Sequence, residues 1–193
     1  MPLYNTDYLR NLARSRASVI NEARQNIALR TKTSFDIFLA HSLADQQDVY
    51  GLYIDLTDQG FSVYVDWIID SHLERSNVTR ATAEIIRGRL RSSKSLLLAM
   101  STNAVLSKWI PWELGYVDGH TQNCALVPVA EGSTTRTSFE GREFLSLYPY
   151  ITRTPNRDGK DKRWVVESAD TFVIADEWVS MAKKPFKRDD RTS

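Results

Sequence analysis

Short apolar runs recur along the chain from residue 35 onward, separated by longer stretches of mixed polarity. The runs are FDIFLA (35–40), FSVYVDW (61–67), SLLLAM (95–100) and ALVPVA (125–130). Runs of this length that are rich in apolar and β-branched residues are typical of strands buried on both faces of a parallel sheet. They predict four strands in this order along the chain.

The stretches between these runs carry helical periodicity. Within 45–59 the apolar residues recur at i, i+3, i+4 and i+7; they are Val49, Leu52, Tyr53 and Leu56. Residues 78–92 and 104–119 predict two further helices, the first capped by Ser76 or Asn77. Because strands and helices alternate with short connections, we expect an α/β fold with a flavodoxin-like, doubly wound and mostly parallel sheet.

The two flanks of this alternating region are less regular. Residues 6–30 predict a helix of mixed polarity, so we expect 1–33 to form an N-terminal helical extension that packs on the domain or on a neighbouring subunit. The domain is expected to span 34–180, with an irregular part from about 131 that contains a hairpin-like pair, RWVVE and TFVIA. The charged tail, 181–193, is expected to be disordered.

Composition and charge exclude several classes of protein. With 25 basic and 24 acidic residues the net charge is +1, which gives no general attraction to nucleic acid or to an anionic membrane. The single cysteine, Cys124, excludes an internal disulfide framework, and its apolar surroundings favour a small buried residue over a nucleophile. The N-terminus lacks the apolar core of a secretory signal and no run is long enough to span a bilayer, so we expect a cytoplasmic protein.

Ligands of doubly wound sheets bind beyond the carboxyl ends of the strands. That rule selects three loops: AHSLAD after the first strand, DWIIDSH after the second and STNAVLSKW after the third. No phosphate-binding GxGxxG or GxxxxGK[ST] motif follows the first strand, which argues against a dehydrogenase or a P-loop NTPase. There is no GxSxG elbow, and His41, His72 and His120 lack metal-ligand spacing, so we expect no metal site.

The stretch SKWIPWELG, 107–115, places an acid among large apolar residues at the end of the third loop. Trp109 and Glu113 are four residues apart and share one face of the predicted helix. An indole ring offers a stacking plane for a nucleobase or a pyridinium, so this pair could hold a cationic, glycosidic substrate. In the structural alternative the tryptophans belong to the core and Glu113 is a first-turn acid favoured by the helix dipole. Spacing alone leaves both interpretations open.

Three segments together resemble the Toll/interleukin-1 receptor (TIR) family in its free-standing bacterial form. SFDIFLAHSLAD is similar to the family's first box, GFSVYVDW to its second strand, and SLLLAMSTNAVLSKWIPWELG to its third strand and the helix that follows. The similarity covers roughly residues 34–150, with 66–77 in the place of the family's BB loop. One departure is His41, which stands where an aromatic residue or a serine is common.

The resemblance implies a TIR fold and an enzyme that cleaves its substrate, NAD+, at the nicotinamide–ribose bond without a cofactor. By motif match, Glu113 would be the catalytic carboxylate and Trp109 would form a wall of the substrate site. Loop position alone adds five substrate-binding candidates: Ala40, His41 and Ser42 on the floor of the site, and Asp66 and Trp67 at the opening of the mobile loop.

The resemblance also implies partners. Family enzymes often self-associate through TIR surfaces that include the 66–77 loop, and the free-standing form resembles the signal-producing protein of Thoeris anti-phage defence. There NAD+ becomes a cyclic or conjugated ADP-ribose messenger that a separate effector senses, with no nucleic acid or membrane involved. Two alternatives stay open: a non-enzymatic TIR–TIR interaction scaffold, and a nucleoside-processing hydrolase on the same fold.

Overall fold

A mixed sheet of nine strands organises the part of the chain that the structure describes. The structure is a computed structural model, and it describes residues 2–18, 21–22, 31–73, 78–101, 103–134, 136, 139 and 143–187. None of the helices within these ranges is both long and apolar enough to cross a membrane.

The strands are β1 (Tyr4–Asn5), β2 (Phe35–Ala40), β3 (Val63–Tyr64), β4 (Ser93–Met100), β5 (Cys124–Ala130), β6 (Tyr150–Pro155), β7 (Asp161–Val166), β8 (Thr171–Ile174) and β9 (Phe186–Lys187). The α-helices are α1 (Thr6–Ser15), α2 (Gln46–Asp58), α3 (Asp66–Ile69), α4 (Arg80–Arg91), α5 (Ile110–Thr121) and α6 (Ala175–Met181). Short 3-10 turns occupy Leu43–Asp45, Ala104–Leu106 and Glu143–Leu147.

The strand order is β3-β2-β4-β5-β6-β7-β8-β9, and β1 pairs with the end of β5. The pairs from β3 to β6 are parallel, as is β1 with β5, whereas β6 to β9 pair antiparallel. This arrangement confirms the predicted α/β, mostly parallel sheet. The predicted hairpin-like pair is also confirmed, because β7 and β8 lie antiparallel with Val165 opposite Val173.

The core lies where the apolar runs predicted it. Every residue of β2 except Asp36 is buried, and all of β5 except Val129 is buried. The predicted helix over 45–59 is confirmed by α2, which buries its whole segment from Asp48 to Leu56 apart from the half-buried Tyr50. Gly60, just after this helix, has a φ of 92°, a conformation that favours glycine over other residues.

The strand predicted over 61–67 is wrong beyond Tyr64. Only Val63 and Tyr64 pair with β2, and Asp66 and Trp67, expected at the opening of a mobile loop, lie in the short helix α3. The Asp66 carboxylate accepts the backbone N–H of Trp67 at 2.8 Å, and the N–H of Ile69 bonds to the carbonyl of Val65 at 2.9 Å. These local bonds turn the chain as soon as it leaves the sheet.

Two predicted helices begin later than expected. The helix predicted over 78–92 begins at Arg80, because the Thr79 hydroxyl accepts the N–H of Thr82 at 3.1 Å and caps it. The predicted caps, Ser76 and Asn77, lie outside the described residues. The helix predicted over 104–119 is split into a 3-10 turn and α5, which begins at Ile110.

The N-terminal segment belongs to the sheet and the core. Tyr4 of β1 pairs with Val129, and both Tyr4 and Leu9 are fully buried. The buried Asp55 accepts hydrogen bonds from the Tyr4 hydroxyl at 2.6 Å and from the Arg163 Nε at 2.6 Å, which ties β1, α2 and β7 together. Residues 4–15 therefore pack on the domain, which was one of the two predicted alternatives, and the domain limits at 33 and 180 stay predictions. Most of the predicted helix beyond residue 18 lies outside the described residues.

Candidate active site

A cavity of about 340 Å³ opens at the carboxyl ends of the central strands. Its lining comes from residues 41–44 after β2, from Asp66, Trp67 and Leu73 in and after α3, and from 103 and 106–109 before α5. The three loops that the strand-end rule selected therefore meet around one space. Five of the seven predicted site residues line it: His41, Ser42, Asp66, Trp67 and Trp109.

His41, directly after β2, is held by hydrogen bonds at both ring nitrogens. Its Nδ1 lies 2.8 Å from the carbonyl oxygen of Leu39, and its Nε2 lies 2.7 Å from the indole Nε1 of Trp67. Because an indole N–H can only donate, Nε2 must accept and the ring proton must be on Nδ1. His41 is therefore a neutral imidazole in this structure, and it is 4% exposed.

Trp67, in α3, forms an aromatic part of the cavity wall. Its ring meets the ring of Tyr50 edge-to-face with centroids 4.5 Å apart, and it meets His41 in the same way at 5.8 Å. Edge-to-face packing is a favoured arrangement of aromatic rings. The neighbouring Asp66 is buried, and its carboxylate lies 3.4 Å from the His41 Nε2.

The loop before α5 is organised by a buried acid that sequence reasoning missed. The Asp45 carboxylate accepts hydrogen bonds from the Ser101 hydroxyl and, at 2.6 Å, from the side-chain amide of Asn103. Ser101 in turn accepts the N–H of Asn103 at 3.1 Å. Asn103 lines the cavity, so Asp45 fixes one of its polar groups. The acidic residue in HSLAD and the polar run STN after β4 were the available signals.

Ser107 and Lys108 complete the rim of the cavity next to α5. The Ser107 hydroxyl accepts the N–H groups of Trp109 and Ile110, each at 3.3 Å, and so satisfies the start of the helix. Lys108 is exposed and brings a positive charge to the opening. Both residues stand inside the SKWIPWELG stretch, but an isolated serine or lysine carries no sequence signal for binding.

Trp109 and Glu113 lie one helical turn apart, as predicted, but of the two only Trp109 is among the described residues that line the cavity. The backbone N–H of Glu113 bonds to the carbonyl of Trp109 at 2.9 Å, so the two residues are one helical turn apart. Trp109 lines the cavity and meets Trp112 edge-to-face at 5.7 Å. Glu113 is fully buried, and neither it nor Ala40 is among the described residues that line the cavity. Their roles in the site stay predictions.

Cys124 lies at the start of β5 and is 2% exposed. Burial, and then the nearby charge of Asp118, raise the pKa of the Cys124 thiol to about 12. The group is therefore a protonated thiol at neutral pH, and a nucleophilic role would need the thiolate. The interpretation of Cys124 as a small buried residue is confirmed.

The sequence is similar to proteins named as cyclic ADP-D-ribose synthases. It is 40% identical over 166 residues to the probable 3′ cyclic ADP-D-ribose synthase ThsB′ of Bacillus cereus (strain MSX-D12), covering 82% of this chain and 86% of that protein. It is 28% identical over 116 residues to the putative cyclic ADP-D-ribose synthase TIR2 of Cytobacillus dafuensis, covering 58% of this chain and 31% of that protein.

Among solved structures, the chain is similar to the TIR domain of the Toll-related receptor TRR-2 of Hydra magnipapillata. The TM-score is 0.44 at 18% identity, and the match covers 61% of this chain and 82% of that one. No family model matches the sequence.

Proposed function

Because this chain belongs to the TIR-domain family of ThsB′-type cyclic ADP-D-ribose synthases, we propose that it cleaves NAD+ and closes the ADP-ribose part into a ring. The observation that carries the proposal is the 40% identity with a cyclic ADP-D-ribose synthase over most of both chains. The cavity of about 340 Å³ at the carboxyl ends of the parallel strands is a fitting place for a nucleotide.

The reaction divides into bond cleavage and ring closure. The bond between the ribose C1 and the nicotinamide nitrogen breaks, and its electron pair leaves with nicotinamide, which departs as a neutral molecule. Because the leaving group needs no proton, the demand on the protein is to stabilise the positive charge that develops on the ribose. A hydroxyl of the same molecule then adds to C1 and releases its proton, which gives cyclic ADP-ribose, nicotinamide and one proton.

Glu113 is the proposed catalytic carboxylate. Its support is positional, since it lies one helical turn from Trp109, which lines the cavity. A carboxylate close to the ribose stabilises an oxocarbenium-like charge and accepts hydrogen bonds from ribose hydroxyls. Because Glu113 is fully buried here, its contact with the ribose requires the Trp109 side of the cavity to open when substrate binds.

The other lining residues have complementary roles in this proposal. Trp67 and Trp109 provide indole faces for the nicotinamide or adenine ring and exclude water from the reacting carbon. Lys108, exposed at the rim, offers its positive charge to the diphosphate.

The proposal extends to the biological setting. The product acts as a signal in anti-phage defence in the cytoplasm, where a separate effector senses it. Activity depends on self-association through surfaces that include the 66–77 loop, of which residues 74–77 lie outside the described residues.

The test compares the wild type with Glu113→Gln, which keeps the shape of the side chain. Glu84→Gln is the matched control, because Glu84 lies on the outer face of α4 with 56% of its side chain exposed. Concentrated protein is incubated with NAD+, and liquid chromatography with mass spectrometry measures nicotinamide and both linear and cyclic ADP-ribose. Thermal melting confirms that all three proteins are folded.

We expect wild type and Glu84→Gln to release nicotinamide at equal rates. The rate for Glu113→Gln should be lower by about 10²–10³-fold, as when other electrostatic groups are removed. Equal rates for wild type and Glu113→Gln would refute the role of Glu113. No NAD+ consumption by the concentrated wild type would refute the enzyme and favour the interaction scaffold.

A further inference from the structure

A chain of three groups joined by hydrogen bonds runs along one side of the cavity. The carbonyl of Leu39 accepts from His41 Nδ1 at 2.8 Å, and His41 Nε2 accepts from the Trp67 indole at 2.7 Å. The imidazole therefore connects the last residues of β2 to a ring on α3. The link needs a donor at one end of a rigid ring and an acceptor at the other, and a neutral histidine supplies both.

This link removes rotational freedom from the Trp67 side chain. The indole is only half-buried and lines the cavity, so packing alone restrains it less than a core tryptophan. Tyr50 meets its ring edge-to-face at 4.5 Å, and the bond to His41 fixes where the indole N–H points. Together these contacts determine the plane that Trp67 presents to the cavity.

The same geometry argues against an acid–base role for His41. Its Nε2 lone pair receives the Trp67 N–H, so His41 can take up a proton at Nε2 only by releasing the indole. Asp66, 3.4 Å from that nitrogen, accepts the backbone N–H of Trp67 at 2.8 Å and thereby also holds the first turn of α3.

We propose that His41 is a positioning residue of the reaction, which holds the Trp67 indole against the substrate and so keeps water from the ribose C1. The proposal rests on the proposed function. After nicotinamide leaves, the internal hydroxyl and water compete for the same carbon. An indole that moves more freely admits more water, and a larger share of the product is then linear ADP-ribose.

The hydrogen bond itself is tested by NMR without reference to activity. The chain has five tryptophans, so its ¹H–¹⁵N spectrum holds a small set of indole signals, and Trp67→Phe identifies the one from Trp67. His41→Phe removes the acceptor and keeps a planar ring, whereas His41→Gln keeps an acceptor near the position of Nε2. We expect the Trp67 signal to shift upfield in His41→Phe and to return most of the way in His41→Gln. Unchanged signals from the other indoles show that the fold is intact.

The role in the reaction is tested by the ratio of linear to cyclic product from NAD+. Both products form in the same sample, so a smaller folded fraction does not alter their ratio. We expect His41→Phe and Trp67→Phe to raise the ratio about two- to tenfold, as the loss of one neutral hydrogen bond implies. The ratio of linear to cyclic product for His41→Gln should be close to that of the wild type.

Each outcome separates this proposal from the proposed function. An unshifted Trp67 signal in His41→Phe, or a shifted signal with an unchanged product ratio in an active enzyme, overturns the positioning role alone. A wild type that does not consume NAD+ refutes the proposed function, and the positioning role falls with it, although the spectrum still reports whether the bond exists.

Discussion

Gly51 offers a sharp test of how the N-terminal helix is joined to the domain. It lies in α2, where α1 crosses closely. A Cβ atom at Gly51 would stand 2.3 Å from the carbonyl oxygen of Leu9 and 2.6 Å from its carbonyl carbon. Both are backbone atoms, so no side-chain rotation relieves the clash. Gly51→Ala must therefore push α1 away from α2 or distort one of the two helices.

The size of the effect follows from that distance. Ordinary Cβ contacts begin at 3.4 Å, so α1 would have to move by the difference from 2.3 Å, 1.1 Å. Forced expansion of a packed core costs about 1–3 kcal/mol. Because the clash at Gly51 is with backbone atoms at 2.3 and 2.6 Å, we place its cost near the top of that range. That cost exceeds the roughly 1 kcal/mol by which alanine is favoured over glycine in a helix. Gly88→Ala in α4 is the matched control, because a Cβ there has nothing within 4 Å.

The assay is urea unfolding followed by circular dichroism for the wild type and both variants. We expect Gly51→Ala to lower the free energy of unfolding by about 1–2 kcal/mol and Gly88→Ala to raise it by about 0.5–1 kcal/mol. The same chemical change therefore has opposite signs at two helical sites. If Gly51→Ala stabilises the protein as much as Gly88→Ala does, the close packing of α1 on α2 is refuted.

Two further predictions concern buried groups. Arg163→Met leaves Asp55, which is 2% exposed, without its counter-charge, and should cost about 3–5 kcal/mol in chemical denaturation; a loss below about 1 kcal/mol, the size typical of an exposed ion pair, would contradict this. Burial raises the pKa of Cys124 from its ordinary 9.0 to about 12, so its contribution to stability is complete below pH 9.0 and lost as the pH rises toward about 12. In unfolding experiments the free energy of unfolding of Cys124→Ala should therefore fall less steeply with pH over that interval than that of the wild type. An unchanged slope would count against the raised pKa of Cys124.

Local patterns predicted the central part of the fold correctly. The apolar runs of β2, β4 and β5 and the periodic face of α2 lie within single elements, so a window of a few residues carries the whole signal. The second run was predicted too long, because most residues of FSVYVDW favour strands and Trp67 still follows Asp66. The early turn depends on Asp66 bonding to the backbone of its neighbour, which composition does not reveal.

The N-terminal segment shows where local patterns fail. A two-residue strand such as β1 carries almost no periodicity, and its partner, Val129, is distant in sequence. The tie between Asp55, Tyr4 and Arg163 likewise joins residues from three separate elements. Sequence reasoning could find the helix that follows Asn5, but it left open whether that helix packs on the domain or on a neighbouring subunit.

For the candidate site, too, some features could be predicted from the sequence and others could not. The rule on strand ends chose three loops that do meet around one cavity, because the direction of the strands follows from their order along the chain. Motif spacing also placed Trp109 and Glu113 one turn apart, which the structure confirms. Neither rule predicts that Glu113 is fully buried or that Asp45 holds Asn103, because both depend on which elements pack together.

The amino-acid sequence by itself determined the alternation of strands and helices, the edge of the sheet at which the cavity opens, and the spacing of Trp109 and Glu113. These features depend on periodicity and spacing, which are properties of the chain. The tertiary structure decided the burial of Glu113, the tautomer of His41 and the hydrogen-bond acceptor of the Trp67 indole. Burial and hydrogen bonding between separate elements are set by distances in space, and those distances exist only once the chain has folded.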